Sequence, residues 1–169
     1  MSLSIGDQAP AFELPATDGA RHAAEGPTVV VFTCNHCPYA LAWHDRIAQA
    51  ARDYPDVRFL AINPNDAERY PRDSFDAMRE RVAAEDWPMP YLRDESQEVA
   101  SAFGARVTPD LFVLDADGRV RYRGAPDADH SDPSLGAAWL REALDAVLGG
   151  QEVARPETEP VGCSVKWKT

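Results

Sequence analysis

Apolar positions along this chain follow two alternating rhythms. Phe12-Glu13-Leu14 alternates as a short strand does, and Asp18-Gly19 signals a turn just after it. Thr28 to Thr33 carries Val29, Val30, Val31 and Phe32 without a polar break, the pattern of a strand buried on both faces. From about Asn35 to Tyr54 the period lengthens, and Ala40, Trp43, Ile47, Ala51 and Tyr54 form one helical stripe. Pro38 is tolerated there because the first helical turn does not need its N–H. Val57 to Ile62 is a second buried strand, broken by Asn63-Pro64-Asn65-Asp66. Phe75, Met78 and Val82 share one face of a helix from about Asp73 to Ala84. Trp87-Pro88-Met89-Pro90 is a rigid apolar loop leading into Tyr91-Leu92. Asp94 and Gln97 have capping-box spacing ahead of a short helix with Val99, Ala100 and Phe103, which Gly104 stops. Leu111 to Asp115 and Val120 to Arg123 flank a Gly-containing turn and predict a hairpin. Ser134 to Leu148 is the last helix.

The order is β-α-β-α, a short helix, a hairpin, then α. Crossover helices join parallel strands first and an antiparallel pair follows. This predicts an α/β protein, with a mixed central sheet between two helical layers. Residues 1–150 form one domain, and the 151–169 tail lacks helical period and is expected to pack on the same body.

Charge narrows the partners. The formal net charge is −11, which disfavours nucleic acid and anionic membranes. Only Lys166 and Lys168 are lysines; the other basic residues are Arg. No run approaches the roughly 20 apolar residues of a membrane span, and the N-terminus has no signal-like pattern. A soluble, cytoplasmic chain is expected, acting as a monomer or homodimer. Three cysteines do not make a stapled framework.

Chemistry concentrates in Cys34-Asn35-His36-Cys37-Pro38, a C-x-x-C where a strand feeds a helix. Unpaired N–H groups and the macrodipole at a helix start stabilise a thiolate, the reactive form of cysteine. Cys34 is expected at that helix start as the nucleophile, with Cys37 as its resolving partner. Cys34 would attack a substrate disulfide, and Cys37 would then displace the reduced product. His36, as imidazolium, would favour the Cys34 thiolate and make the pair more oxidising. Thr108-Pro109 is either a cis bond or an ordinary trans proline at a strand start. If cis and facing the thiols, it would expose the Thr108 backbone to an extended substrate, which makes Thr108 and Pro109 candidate binding residues. Cys163 has two readings: packing of the tail, anchored by Val161, Val165 and Trp167, or a third redox thiol. His22, His44 and His130 show no ligand spacing and read as surface residues. Asp127, Asp129 and Asp132 read as a solvated loop. No metal and no cofactor are expected.

Several segments together resemble the thioredoxin-like superfamily, in its peroxiredoxin-like (AhpC/TSA) branch. They are Phe32-Thr33-Cys34-Asn35-His36-Cys37-Pro38-Tyr39, Ile62 to Asp66, Tyr70 to Phe75, Pro90-Tyr91-Leu92, Gln97 to Ala100, Thr108-Pro109-Asp110 and Gly162 to Trp167. The resemblance implies a thioredoxin fold with an N-terminal β-hairpin, and a cis bond at Pro109 beside Cys34. Two departures stand out. Peroxiredoxins place Pro-x-x-x-Thr/Ser-x-x-Cys around the peroxidatic thiol. Counted back from Cys34 the hydroxyl position is Val31; counted back from Cys37 it is Cys34. Thioredoxins carry a buried acid in the strand before the site, and Val29, Val30 and Val31 offer none. The expected activity is thiol–disulfide exchange on protein or small-molecule disulfides, recharged by a thiol electron donor. A thiol peroxidase is the alternative, and a metal module built on Cys34, Cys37 and Cys163 is a third.

Overall fold

The computed structural model describes residues 3–169; Met1 and Ser2, at the start of the expected 1–150 domain, lie outside them. An N-terminal hairpin pairs β1 (Leu14–Pro15) with β2 (Arg21–His22) across the Asp18-Gly19 turn. The chain then alternates β3 (Thr28–Phe32), α1 (Pro38–Asp53), β4 (Arg58–Asn63), α2 (Phe75–Ala84), β5 (Tyr91–Arg93) and α3 (Glu98–Phe103). A two-residue strand β6 (Val107–Thr108) precedes the hairpin β7 (Asp110–Leu114) and β8 (Val120–Gly124). Helix α4 (Ala138–Leu148) and a two-residue tail strand β9 (Cys163–Ser164) complete the order.

The five-stranded sheet runs β5-β4-β3-β7-β8. β3, β4 and β5 are parallel, and β7 and β8 join antiparallel. In the centre Val30 sits between Leu60 and Phe112. Side chains alternate between faces. Val29, Val31, Phe59, Ala61, Leu111 and Val113 meet α1, α2 and α4. Val30, Phe32, Leu60, Ile62, Phe112 and Leu114 meet α3 and the N-terminal segment. The three layers are therefore unequal, with three helices on one face and one short helix plus the N-terminal segment on the other. Each fully buried Val, Leu or Phe contributes roughly 1.5–3 kcal/mol.

Four details differ from the sequence expectation. β5 adds a strand directly after the expected Trp87–Pro90 loop, where the expected element order counts none. Gln97, in the left-handed conformation at φ 66, starts α3, while Asp94 accepts from the Val99 and Ala100 N–H groups from outside the helix. The last helix is divided, because Gly136 and Ala137 are both left-handed and separate a 3₁₀ turn from α4. His44 is buried, with its ring 4.4 Å from Trp87.

Asp127 also departs from the solvated-loop reading. It is buried and accepts from Trp43 Nε1 at 2.8 Å, the Ala137 N–H at 2.9 Å and Arg46 Nη1 at 3.0 Å. Arg46 in turn donates to the carbonyls of Asp129 and His130. This ion pair joins α1 to the turn before α4. Asp127→Ala leaves the Arg46 charge buried without its partner, and a loss of about 3–5 kcal/mol is expected in urea unfolding.

Candidate active site

The thiol pair lies where β3 gives way to α1. The residue before a proline is pushed out of the helical region. Cys37 obeys this rule, with φ −78 and ψ 123, and it is the N-cap of α1 while Pro38 is the first helical residue. The helix therefore starts three residues later than the expected start at about Asn35. Cys37, not Cys34, holds the helix terminus, and Cys34 sits in the loop ahead of it. This corrects the premise on which Cys34 was expected to be the activated thiol.

The Thr108–Pro109 bond is cis. Both sulfurs of the pair face Thr108. Cys34 Sγ lies 3.3 Å from Thr108 Oγ1, and the Cys37 thiol donates to the Thr108 carbonyl at 3.2 Å. All three cysteines are free thiols, and Cys163 packs against Cys34, Cys37 and Ala40. The three sulfurs, 129 residues apart at the extremes in sequence numbering (Cys34 to Cys163), thus form one cluster. The Thr108 backbone is not open to an extended substrate as expected: β6 is already paired with β9, with Thr108 opposite Cys163.

A buried carboxylate organises the loop between the thiols. Asp73 has no solvent exposure. Its Oδ1 accepts from the Asn35 N–H at 2.7 Å and Asn63 Nδ2 at 3.1 Å. Its Oδ2 accepts from Asn65 Nδ2 at 3.1 Å and lies 2.6 Å from His36 Nδ1, off the line of a straight hydrogen bond. His36 also stacks on Tyr70, ring planes 7° apart. Arg81 donates to the Cys34 carbonyl at 3.1 Å and to Asn35 Oδ1 at 3.2 Å, and the Tyr91 hydroxyl donates to the same Oδ1 at 2.8 Å. The sequence reading missed Asp73, Asn63, Asn65, Arg81 and Tyr91. One signal was available: Asn63 and Asn65 follow a buried strand directly, at the carboxyl end of a parallel sheet where such folds place their sites.

The two thiols are driven apart in acidity. The Cys34 thiol directed at its sulfur lowers Cys37, with Cys163, the Ala40 N–H and the Thr108 side chain adding to this against the cost of burial. The Thr108 carbonyl opposes the shift, because it accepts from the protonated thiol. The position of Cys37 at the start of α1 favours its thiolate, in the direction of the shift. Cys34 is pushed up, first by giving its proton to that interaction, then by burial and the negative charge of Asp73. The backbone N–H of His36 partly offsets this.

The trio of Cys34, His36 and Asp73 brings one ligand atom from each within 4.8 Å. It differs from the expected metal trio of Cys34, Cys37 and Cys163. Asp73 already accepts three hydrogen bonds, so an ion there would have to displace contacts that hold the loop.

Asp110 is a second buried acid, at the start of β7. It accepts from the Arg106 N–H at 3.1 Å, stands 3.9 Å from Arg123 Nη2, and its Oδ1 has no partner.

The fold and the paired thiols at the β3–α1 junction define a thioredoxin-like redoxin. Two solved structures match nearly the whole chain. One is an uncharacterized conserved protein from Geobacillus kaustophilus, 40% identical, covering 98% of this chain and 93% of its own, with a TM-score of 0.90. The other is a hypothetical protein from Sinorhizobium meliloti 1021, 34% identical, covering 100% and 97%, with a TM-score of 0.91. Peroxidoxin BcpB from Mycobacterium tuberculosis shares the fold at 20% identity, covering 86% and 98%, with a TM-score of 0.66. No curated protein matches the sequence. Residues 5–123 match the AhpC/TSA family, and the chain belongs to it.

Burial raises the Asp110 carboxyl to about 6. Its folded pKa is above the unfolded value, so ionisation costs stability at neutral pH, and this cost is relieved as pH falls through about 6. Wild type should gain about 1 kcal/mol relative to Asp110→Asn between about pH 7.5 and pH 5. Urea unfolding of both proteins at the two pH values checks this.

Proposed function

We propose that this chain is a thiol–disulfide oxidoreductase in which Cys37 supplies the attacking thiolate and Cys34 the resolving thiol. The observation that carries the reading is Cys37 at the N-cap of α1, where the helix terminus favours a thiolate, with Cys34 and Cys163 packed in the same cluster. The roles are reversed from the sequence reading because the helix terminus belongs to the other cysteine.

The Cys37 thiolate attacks one sulfur of a substrate disulfide. That S–S bond breaks, a Cys37–substrate disulfide forms, and the other substrate sulfur leaves as a thiolate and takes up a proton. Cys34 then loses its proton and attacks the Cys37 sulfur. The second substrate thiol leaves, and a Cys34–Cys37 disulfide remains. The substrate gains two electrons and the pair loses them. A thiol donor reverses the sequence on the enzyme side. The sequence offers no acid in β3 to take the Cys34 proton. In its place stands the His36 ring, within 4.8 Å of the Cys34 sulfur and held by Asp73. His36 is thus a positioned base from the loop itself.

Substrates are protein or small-molecule disulfides. Among the described residues no helix is long and apolar enough to cross a membrane. The setting we infer is the cytoplasm, where a thiol pool keeps such a pair reduced.

A thiol peroxidase is the second reading. It draws on the family and on the fold shared with peroxidoxin BcpB. One local observation favours it: the hydroxyl missing from the sequence motif is supplied across space, by Thr108 Oγ1 at 3.3 Å from Cys34 Sγ.

In an insulin-reduction assay with dithiothreitol as donor, Cys37→Ser should lose about a hundredfold or more in rate. Cys34→Ser should stall as a Cys37–substrate disulfide visible by mass spectrometry. Equal rates in wild type and both variants would sink the exchange reading. For the second reading, hydrogen peroxide should oxidise Cys34, the thiol beside the Thr108 hydroxyl, at least about tenfold faster than free cysteine; equal rates would remove it.

A further inference from the structure

The C-terminal tail occupies a place that an incoming chain would otherwise take. β9 runs antiparallel along β6, with Cys163 opposite Thr108 and Ser164 opposite Val107. The Val165 N–H donates to the Arg106 carbonyl at 3.0 Å, which continues the ladder. The other side of the tail is also tied down. The Asp66 N–H donates to the Lys166 carbonyl at 2.8 Å, and the Lys166 N–H donates to Asn65 Oδ1 at 2.9 Å. Gln97 bonds the Lys166 carbonyl through its Nε2 and the Lys168 N–H through its Oε1. Only Val165 of the tail is buried, while Val161 and Trp167 remain exposed. Main-chain pairing therefore holds this strap, in the manner of an extended peptide added to a strand edge. Gly162 fits because it has no side chain: a Cβ there would stand 2.1 Å from the Thr108 carbonyl oxygen.

We propose that the strap is a resident substrate: it seats Cys163 against Cys37 so that the oxidised pair passes its disulfide on to Cys163, and external protein disulfides reach the Thr108 edge only when the strap lifts. This inference rests on the exchange activity proposed above. The step is an internal exchange. The Cys163 thiol loses its proton and attacks the Cys37 sulfur of the Cys34–Cys37 disulfide. The new bond is Cys37–Cys163, the broken bond is Cys34–Cys37, and Cys34 leaves as a thiolate and takes up the proton. No net oxidation occurs, so no further oxidant is needed.

The charge arrangement supports this order of events. In the reduced cluster, burial and the neighbouring Cys37 thiolate push the Cys163 thiol up to about 11, with Lys166 opposing. Once Cys37 is in a disulfide its charge is gone, and Cys163 ionises more readily. The third thiol is thus quiet in the reduced cluster and released for attack by oxidation of the pair.

The test oxidises the reduced full chain with one equivalent of oxidised glutathione, blocks free thiols and maps disulfides by non-reducing peptide mass spectrometry. Wild type should yield both Cys34–Cys37 and Cys37–Cys163 linked peptides. Cys34→Ser should yield Cys37–Cys163 alone, with glutathione released. Gly162→Val, which keeps every thiol but cannot seat the strap, should lower the Cys37–Cys163 yield about tenfold or more and leave Cys34–Cys37 formation intact. A wild type that forms Cys34–Cys37, with a Cys34→Ser variant that stops at a Cys37–glutathione adduct, would overturn the resident-substrate inference and leave the exchange reading standing. An unchanged yield in Gly162→Val would also overturn it. Failure to form either a disulfide or a glutathione adduct at Cys37 would overturn the exchange reading itself.

Discussion

The site depends on a single carboxylate that has nowhere else to go. Asp73 is fully buried, and an ionised group in that position must collect enough donors to offset its lost hydration. It finds them on the loop between the thiols and at the end of β4, through Asn35, Asn63 and Asn65, with the His36 ring packed 2.6 Å from its Oδ2. Those groups come from parts of the chain that share no periodic pattern. Satisfying one charge therefore fixes the path of residues 34–37, the tilt of the His36 ring and the direction in which Cys34 points. Removing any one donor would leave the same charge less well compensated and the loop less determined.

The helix terminus adds a second constraint to the first. Pro38 forbids a helical Cys37, so the cap falls on the second cysteine of the pair. Asp73 holds a negative charge on the Cys34 side, while the N–H of Ala40 serves the Cys37 side. A pair of chemically identical groups is thereby made unequal by its surroundings. The same separation lets one thiol remain a proton donor while the other becomes a nucleophile.

Much of this was legible in the sequence. The C-x-x-C, the buried strands and the stop at Gly104 rest on local rules, the N-terminal hairpin came from the family resemblance, and the structure agrees with all of them. The sequence reading failed where the deciding contact is distant or the element is too short to have a period. β5 has three residues and β9 two, so neither shows alternation. Asp73 looks like an ordinary helix-start acid until Asn63 and Asn65 are placed beside it. Asp127 looks like a loop acid until Arg46 arrives from α1. The helix start was a local error: the pre-proline rule was available, but Pro38 was read only as tolerated within the first turn. The solved structures from Geobacillus kaustophilus and Sinorhizobium meliloti match almost the whole chain, tail included, so the strap lies within the shared architecture.

Parity has a consequence for this cluster. Three sulfurs lie together and the chain has no fourth cysteine. Bonds between sulfurs use them in twos, so one is always left over. As internal disulfides a single molecule stores two electrons' worth of oxidation, and anything further must go to sulfur oxyacids or mixed disulfides. Its oxidised forms then differ in which sulfur is odd, rather than in how many are spent. An odd sulfur is a standing handle for a passing thiol or disulfide, and a cluster with an even number would close on itself and lose that handle.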